Sequence, residues 1–152
     1  MKNNEIFYIP SLDVFGDWET LQKFLERRGN PLYSIGGDLG LIGTDIESIG
    51  NLTSVGGRLN LYGCKNLTSL GNLTSVGGYL DLEGTNIESL GALTSVGRDL
   101  YLRITPISKK YSEEEIRQMV EVKGDIYLSD YMWGYSKTRT PFGRGNPQPL
   151  FS

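Results

Sequence analysis

The chain contains no histidine, a single cysteine at Cys64 and no apolar run of signal-peptide or membrane-spanning length. Without histidine there is no Ser-His-Asp or Cys-His nucleophile, no imidazole acid–base relay and no His-containing zinc or iron site. One thiol forms neither an intrachain disulfide nor a thiolate metal cluster, which suits a reducing compartment. Charge of either sign is modest: 15 Lys+Arg against 18 Asp+Glu leave a formal net charge of -3. That balance argues against a chain that coats nucleic acid or anionic membrane over its whole surface. These absences predict a cytoplasmic protein with no catalytic residue, no cofactor, no metal and no membrane association.

Glycine, in contrast, is abundant, with 20 in 152 residues against a usual frequency of about 7%. The excess belongs to a repeat. Written in register, the chain reads Leu32-Tyr-Ser-Ile-Gly-Gly-Asp-Leu-Gly-Leu41, Leu52-Thr-Ser-Val-Gly-Gly-Arg-Leu-Asn-Leu61, Leu73-Thr-Ser-Val-Gly-Gly-Tyr-Leu-Asp-Leu82 and Leu93-Thr-Ser-Val-Gly-Arg-Asp-Leu-Tyr-Leu102. The starts at 32, 52, 73 and 93 give periods of 20, 21 and 20, and a degenerate fifth copy, Val122 to Leu128, follows at an offset of 26. In each copy Leu-x-Leu points both leucines to one face of a short strand. One copy cannot bury its own leucines, whereas copies stacked at a strand spacing of about 4.8 Å share one core. The Gly pairs just before these strands are expected to supply sharp turns with positive φ. A hairpin-built β-sandwich is the weaker alternative, because its turns would not recur with the same flanking residues at a fixed period.

The reading is therefore a repeat solenoid, leucine-rich-repeat-like, with short parallel strands, an N-terminal capping helix and one inserted helix. Asp17 is suited to cap the first helix, with Trp18, Leu21 and Leu25 on one face and Gly29 and Pro31 beyond its end. The inserted helix is opened by the Ser112-Glu-Glu-Glu115 capping box and spans about 112–120. Residues 1–130 form the single solenoid (1–31 cap, 32–130 repeats), and 131–152 form a C-terminal cap and tail.

The framework LxLxxTxIxxLxxLxxVGG resembles a leucine-rich repeat with Thr or Cys at the usual Asn position, and is similar to the coils of receptor L-domains. The insertion Thr105-Pro-Ile-Ser-Lys-Lys-Tyr-Ser-Glu-Glu-Glu-Ile-Arg-Gln-Met-Val120, followed by Gly124-Asp-Ile-Tyr-Leu128, resembles short repeat proteins encoded by tailed bacteriophages. That resemblance implies residence in a host cytoplasm and a protein that inhibits or redirects a host protein, a defence component among the candidates. It carries no site residues over.

With the leucines inward, the flanking residues form an outward grid: Asp38/Gly40/Ile42, Arg58/Asn60/Tyr62, Tyr79/Asp81/Glu83, Asp99/Tyr101/Arg103 and Asp125/Tyr127/Ser129. The framework is nearly constant while this grid varies, and Tyr and Arg are enriched at binding hot spots. The preferred reading is a non-enzymatic protein-binding face at Arg58, Tyr62, Tyr79, Asp81, Asp99, Tyr101, Arg103 and Tyr127. An ordinary solvated β-surface is the bland alternative. The carboxylates Asp81, Glu83, Asp99 and Asp125 could in principle hold a hard cation or perform glycosidase-like work, but surface ion pairing with Arg58 and Arg103 is the stronger reading. Cys64, in register with Thr44, Thr85 and Thr105, reads as a small filler at a turn.

Residues 131–152 carry Lys137, Arg139 and Arg144 and no acid, interleaved with aromatics. Trp133, Tyr135, Lys137, Arg139 and Arg144 make up a second candidate surface, and a nucleic-acid or nucleotide binder working through this tail is the alternative function. Its bland counterpart is an aromatic cover, Tyr131, Trp133 and Tyr135, over the last coil. The oligomeric state is not legible.

Overall fold

A computed structural model describes residues 5–128. Its strands, all two to four residues long, form two sheets in which every pairing is parallel. Sheet A runs in the order β1 (Phe7–Ile9), β2 (Tyr33–Ile35), β4 (Leu52–Val55), β6 (Ser75–Val76), β8 (Ser95–Val96), β10 (Glu121–Val122). Sheet B runs β3 (Leu39–Gly40), β5 (Leu59–Asn60), β7 (Leu80–Asp81), β9 (Leu100–Tyr101), β11 (Ile126–Tyr127). From β2 onward the chain alternates between the sheets, so each repeat contributes one strand to each. Among the described residues the helices are α1 (Trp18–Glu26), α2 (Pro106–Lys110), α3 (Glu113–Met119) and a 3-10 turn, Leu12–Val14. Among the described residues no helix is long and apolar enough to cross a membrane.

The register follows the repeat. Leu39, Leu59, Leu80, Leu100 and Ile126 stand side by side across sheet B. Their alternate neighbours Leu41, Leu61, Leu82, Leu102 and Leu128 face the same way, and all ten are at most 5% exposed. The sheet A strand of each repeat adds Ile35, Val55, Val76, Val96 and Val122. A single continuous core therefore lies between the two sheets.

Five features differ from the sequence-based expectations. First, the Gly pairs do not have positive φ; the left-handed glycines are others, such as Gly43, Gly63 and Gly84. The pairs are needed for close approach instead: a Cβ at Gly56 would be driven into the carbonyl oxygen of Gly36, one at Gly77 into that of Gly56 and one at Gly97 into that of Gly77. Second, Tyr33 and not Leu32 takes the inward place of Leu52, through a bulge between Tyr33 and Ser34. Tyr33 is 1% exposed, and its hydroxyl donates to the Ile49 carbonyl at 2.8 Å and accepts from Gln22. Third, α1 does not precede all the strands, because β1 lies before it and pairs with β2 at an offset of 26 residues (33-7). Asp17 does cap α1, accepting from the Thr20 amide at 2.8 Å, and Leu21 and Leu25 are buried. Fourth, the insertion holds two helices. The Ser112–Glu115 capping box opens α3, while Thr105 caps the additional α2 with Pro106 in its first turn. Fifth, Glu83 is only 9% exposed and belongs to the buried set.

Candidate functional site

The outward side of sheet B carries three columns of side chains, placed by the alternation of each strand. The first holds Asp38, Arg58, Tyr79, Asp99 and Asp125; the second, Gly40, Asn60, Asp81, Tyr101 and Tyr127; the third, Ile42, Tyr62, Glu83 and Arg103. Because repeats are paired in register, neighbours in a column come from successive strands.

Arg58 reaches back to Asp38, donating from Nε at 3.1 Å and Nη2 at 2.6 Å to one carboxylate oxygen while its amide donates to the other at 2.7 Å. These bonds hold the Asp38 carboxyl below its usual range. On its other side the guanidinium lies 5.9 Å from the Tyr79 ring centroid. Tyr79 accepts from the Asn60 amide at 3.2 Å and meets Tyr101 edge-on at 5.7 Å. Tyr101 in turn stacks on Tyr127, centroids 4.8 Å apart and planes 6° from parallel, a separation close to the strand spacing of about 4.8 Å. Arg103 closes the group, bonded to Glu83 at 2.8 Å and lying 5.6 Å from the Tyr127 ring.

The acids of this face are held individually rather than gathered. Asp81 Oδ1 accepts the Glu83 amide at 2.9 Å, and Asp99 accepts the Asp125 amide and, at 3.3 Å, the Tyr101 hydroxyl. Burial pushes the Asp81 carboxyl up to about 6; the hydrogen bond from the Glu83 amide opposes the rise, the Glu83 charge adds to it and Arg103 opposes it. Burial, together with Asp99, pushes the Tyr101 phenol up to about 12. Among the described residues no group of three or more Asp, Glu, Cys or His is placed to hold a metal ion. Cys64 is fully buried, and its thiol donates to the Leu41 carbonyl at 2.9 Å.

Of the residues singled out from sequence, the structure thus brings Arg58, Tyr79, Asp81, Asp99, Tyr101, Arg103 and Tyr127 into one contiguous patch. Tyr62 is half exposed and makes no ring contact among the described residues. Trp133, Tyr135, Lys137, Arg139 and Arg144 lie outside the described residues, as do Ser129 and Tyr131. Asn60 and Asp38 escaped selection although both fix patch residues. The signal for Asn60 was its place two residues before Tyr62, whose amide it accepts at 3.0 Å.

Among the described residues, concavities also lie away from this face. One, of about 420 Å³, runs along the outer side of sheet A over Ser54, Ser75, Ser95 and the stacked glycines, ending at Glu121 and Lys123. Another, of about 300 Å³, lies between Gln22, Asn30, Tyr33 and Asn51. Neither gathers charged groups beyond that one acid and one base. Comparison with protein-family models, with curated proteins and with solved structures finds no match to this chain.

Proposed function

We propose that the chain is a leucine-rich-repeat-like solenoid that works as a non-enzymatic protein-binding module through the outward face of sheet B. The observation that carries this reading is the unbroken series Arg58–Tyr79–Tyr101–Tyr127–Arg103, each member in ring or cation contact with the next. Large aromatic and guanidinium groups fixed by one another lose little side-chain freedom when a partner covers them, which is the physical basis of their enrichment at hot spots. The leucines behind them are constant from repeat to repeat, so the face can vary without disturbing the core. The resemblance to phage-encoded repeat proteins extends the proposal to a host protein as the partner, inhibited or redirected by binding. The nucleic-acid alternative depends on tail residues outside the described part.

The test is Tyr79→Ala combined with Tyr101→Ala. Removing both rings is expected to cost a partner at least about 2 kcal/mol, roughly thirtyfold in affinity, while costing the fold only about 1–2 kcal/mol through lost ring contacts. The partner is first captured from a host lysate and identified by mass spectrometry, then titrated as a purified protein. Glu47→Ala with Glu88→Ala, at exposed loop positions, serves as the control. Normal binding by the tyrosine variant together with a loss in the glutamate variant would place the working face elsewhere.

A further inference from the structure

The face of sheet B already receives two guanidinium groups from its own chain, and it does so twice in the same way. Arg58 lies between a carboxylate one repeat earlier, Asp38, and a tyrosine ring one repeat later, Tyr79. Arg103 lies between Glu83, one repeat earlier, and Tyr127, one repeat later. Carboxylate and ring are both matched to the planar, weakly hydrated guanidinium, one through its N–H fork and the other through its face. Among the described residues, and leaving Asp125 aside, the face holds four carboxylates (Asp38, Asp81, Glu83, Asp99) against these two arginines, an excess of two negative charges. Tyrosine rings lie among those carboxylates, and Asp81 and Asp99 are partly removed from water beside them. A neutral or acidic surface laid over this patch would desolvate the acids without compensation. A cationic one would not.

We infer that this face recognises an extended, arginine-bearing segment of the partner protein, seated as the chain seats its own Arg58 and Arg103. The inference rests on the reading of sheet B as the binding surface and adds the chemistry of what it binds. It also distinguishes the face from a nucleic-acid site, whose phosphates the same carboxylates would repel.

The experiment titrates the full chain, at low salt, with a synthetic capped peptide of alternating Arg and Ser, and with its Lys-Ser and Glu-Ser counterparts. Binding is expected in the order Arg over Lys, with none for Glu. Asp81→Asn with Asp99→Asn is expected to weaken the arginine peptide by at least about tenfold, and Tyr79→Ala with Tyr101→Ala by a similar factor. Glu47→Gln with Glu88→Gln, which removes equal charge elsewhere, should bind as wild type. Circular dichroism and urea melts confirm that each variant is folded.

Equal weakening by the Glu47/Glu88 pair would reduce the effect to general attraction by an acidic chain and overturn the inference, as would no binding at low salt. If Lys137→Ser, Arg139→Ser and Arg144→Ser together tighten the peptide by more than about tenfold, the chain's own tail is the occupant and the partner assignment falls. A natural partner that depends on the tyrosines but ignores Asp81→Asn and Asp99→Asn would leave the binding face intact and remove only the cationic chemistry. Peptide binding that needs the tyrosines, beside a natural partner that does not, would remove the binding reading instead.

Discussion

Asp81 shows how an exposed grid acquires a chemically unusual group. Its strand places it outward, yet it is partly buried, and that burial pushes its carboxyl up to about 6 although the hydrogen bond from the Glu83 amide pulls the other way. A carboxyl with a higher pKa in the folded than in the unfolded chain binds its proton more readily when folded. The native state is then favoured below the ordinary carboxyl value of about 4 and loses that advantage as pH rises through about 6. Asp81→Asn keeps the acceptor for the Glu83 amide and removes the charge. Relative to wild type it is expected to be neutral at about pH 4 and more stable by about 1 kcal/mol at pH 7, residual solvation allowed for. Urea melts across that range check it, and a gap independent of pH would show that the carboxyl is not desolvated. At the same scale, the identities of the core leucines were legible from Leu-x-Leu alone, whereas the burial of Glu83 was not. Its position alternates outward, yet it is buried and bonded to Arg103 of the next repeat.

Among the elements, those with local chemical signatures could be read directly: α1 from Asp17 and its apolar stripe, α3 from its capping box, and the sheet B strands from the repeat. Those that depend on distant parts of the chain were hidden. Strand β1 has no Gly pair and sits 26 residues from its partner, so no period marks it. Helix α2 did carry a signal, Thr105 followed by Pro106, but in register with Thr44 and Thr85 it read as one more turn. That turn has its own irregularity. Gly43, Gly63 and Gly84 adopt positive φ after successive sheet B strands, and the fourth equivalent position is Ile104, at φ 58. A β-branched residue there is strained by about 1–2 kcal/mol, and Ile104 is 62% exposed, so burial offsets little of it. Ile104→Gly is expected to raise stability by about 1 kcal/mol, net of the added freedom of the unfolded chain, and Ile104→Val to change it little. A loss in thermal or urea melts for the glycine variant would mean that the isoleucine side chain contributes more than its backbone costs.

For the molecule as a whole, stability rests on contacts between neighbouring repeats, since two-residue strands hold nothing alone. Leu80, in the central strand of sheet B and fully buried, touches this shared core from its middle. Leu80→Ala is expected to cost about 2–5 kcal/mol in urea melts. A cost under about 1 kcal/mol would mean that the cavity collapses freely and the core is less continuous than its geometry.

The glycine contacts between Gly36, Gly56, Gly77 and Gly97 have a consequence for how the surface can change. Main chain rests on main chain there, with no side chain between, so the pitch of the stack is set by peptide groups alone. Outward residues of sheet B are thereby mounted on a ruled lattice whose graduations do not depend on what is written at each mark. Positions such as 58, 60, 79, 81 and 101 can be overwritten together while the ruling stays fixed, which makes the face a rewritable tablet for new specificities.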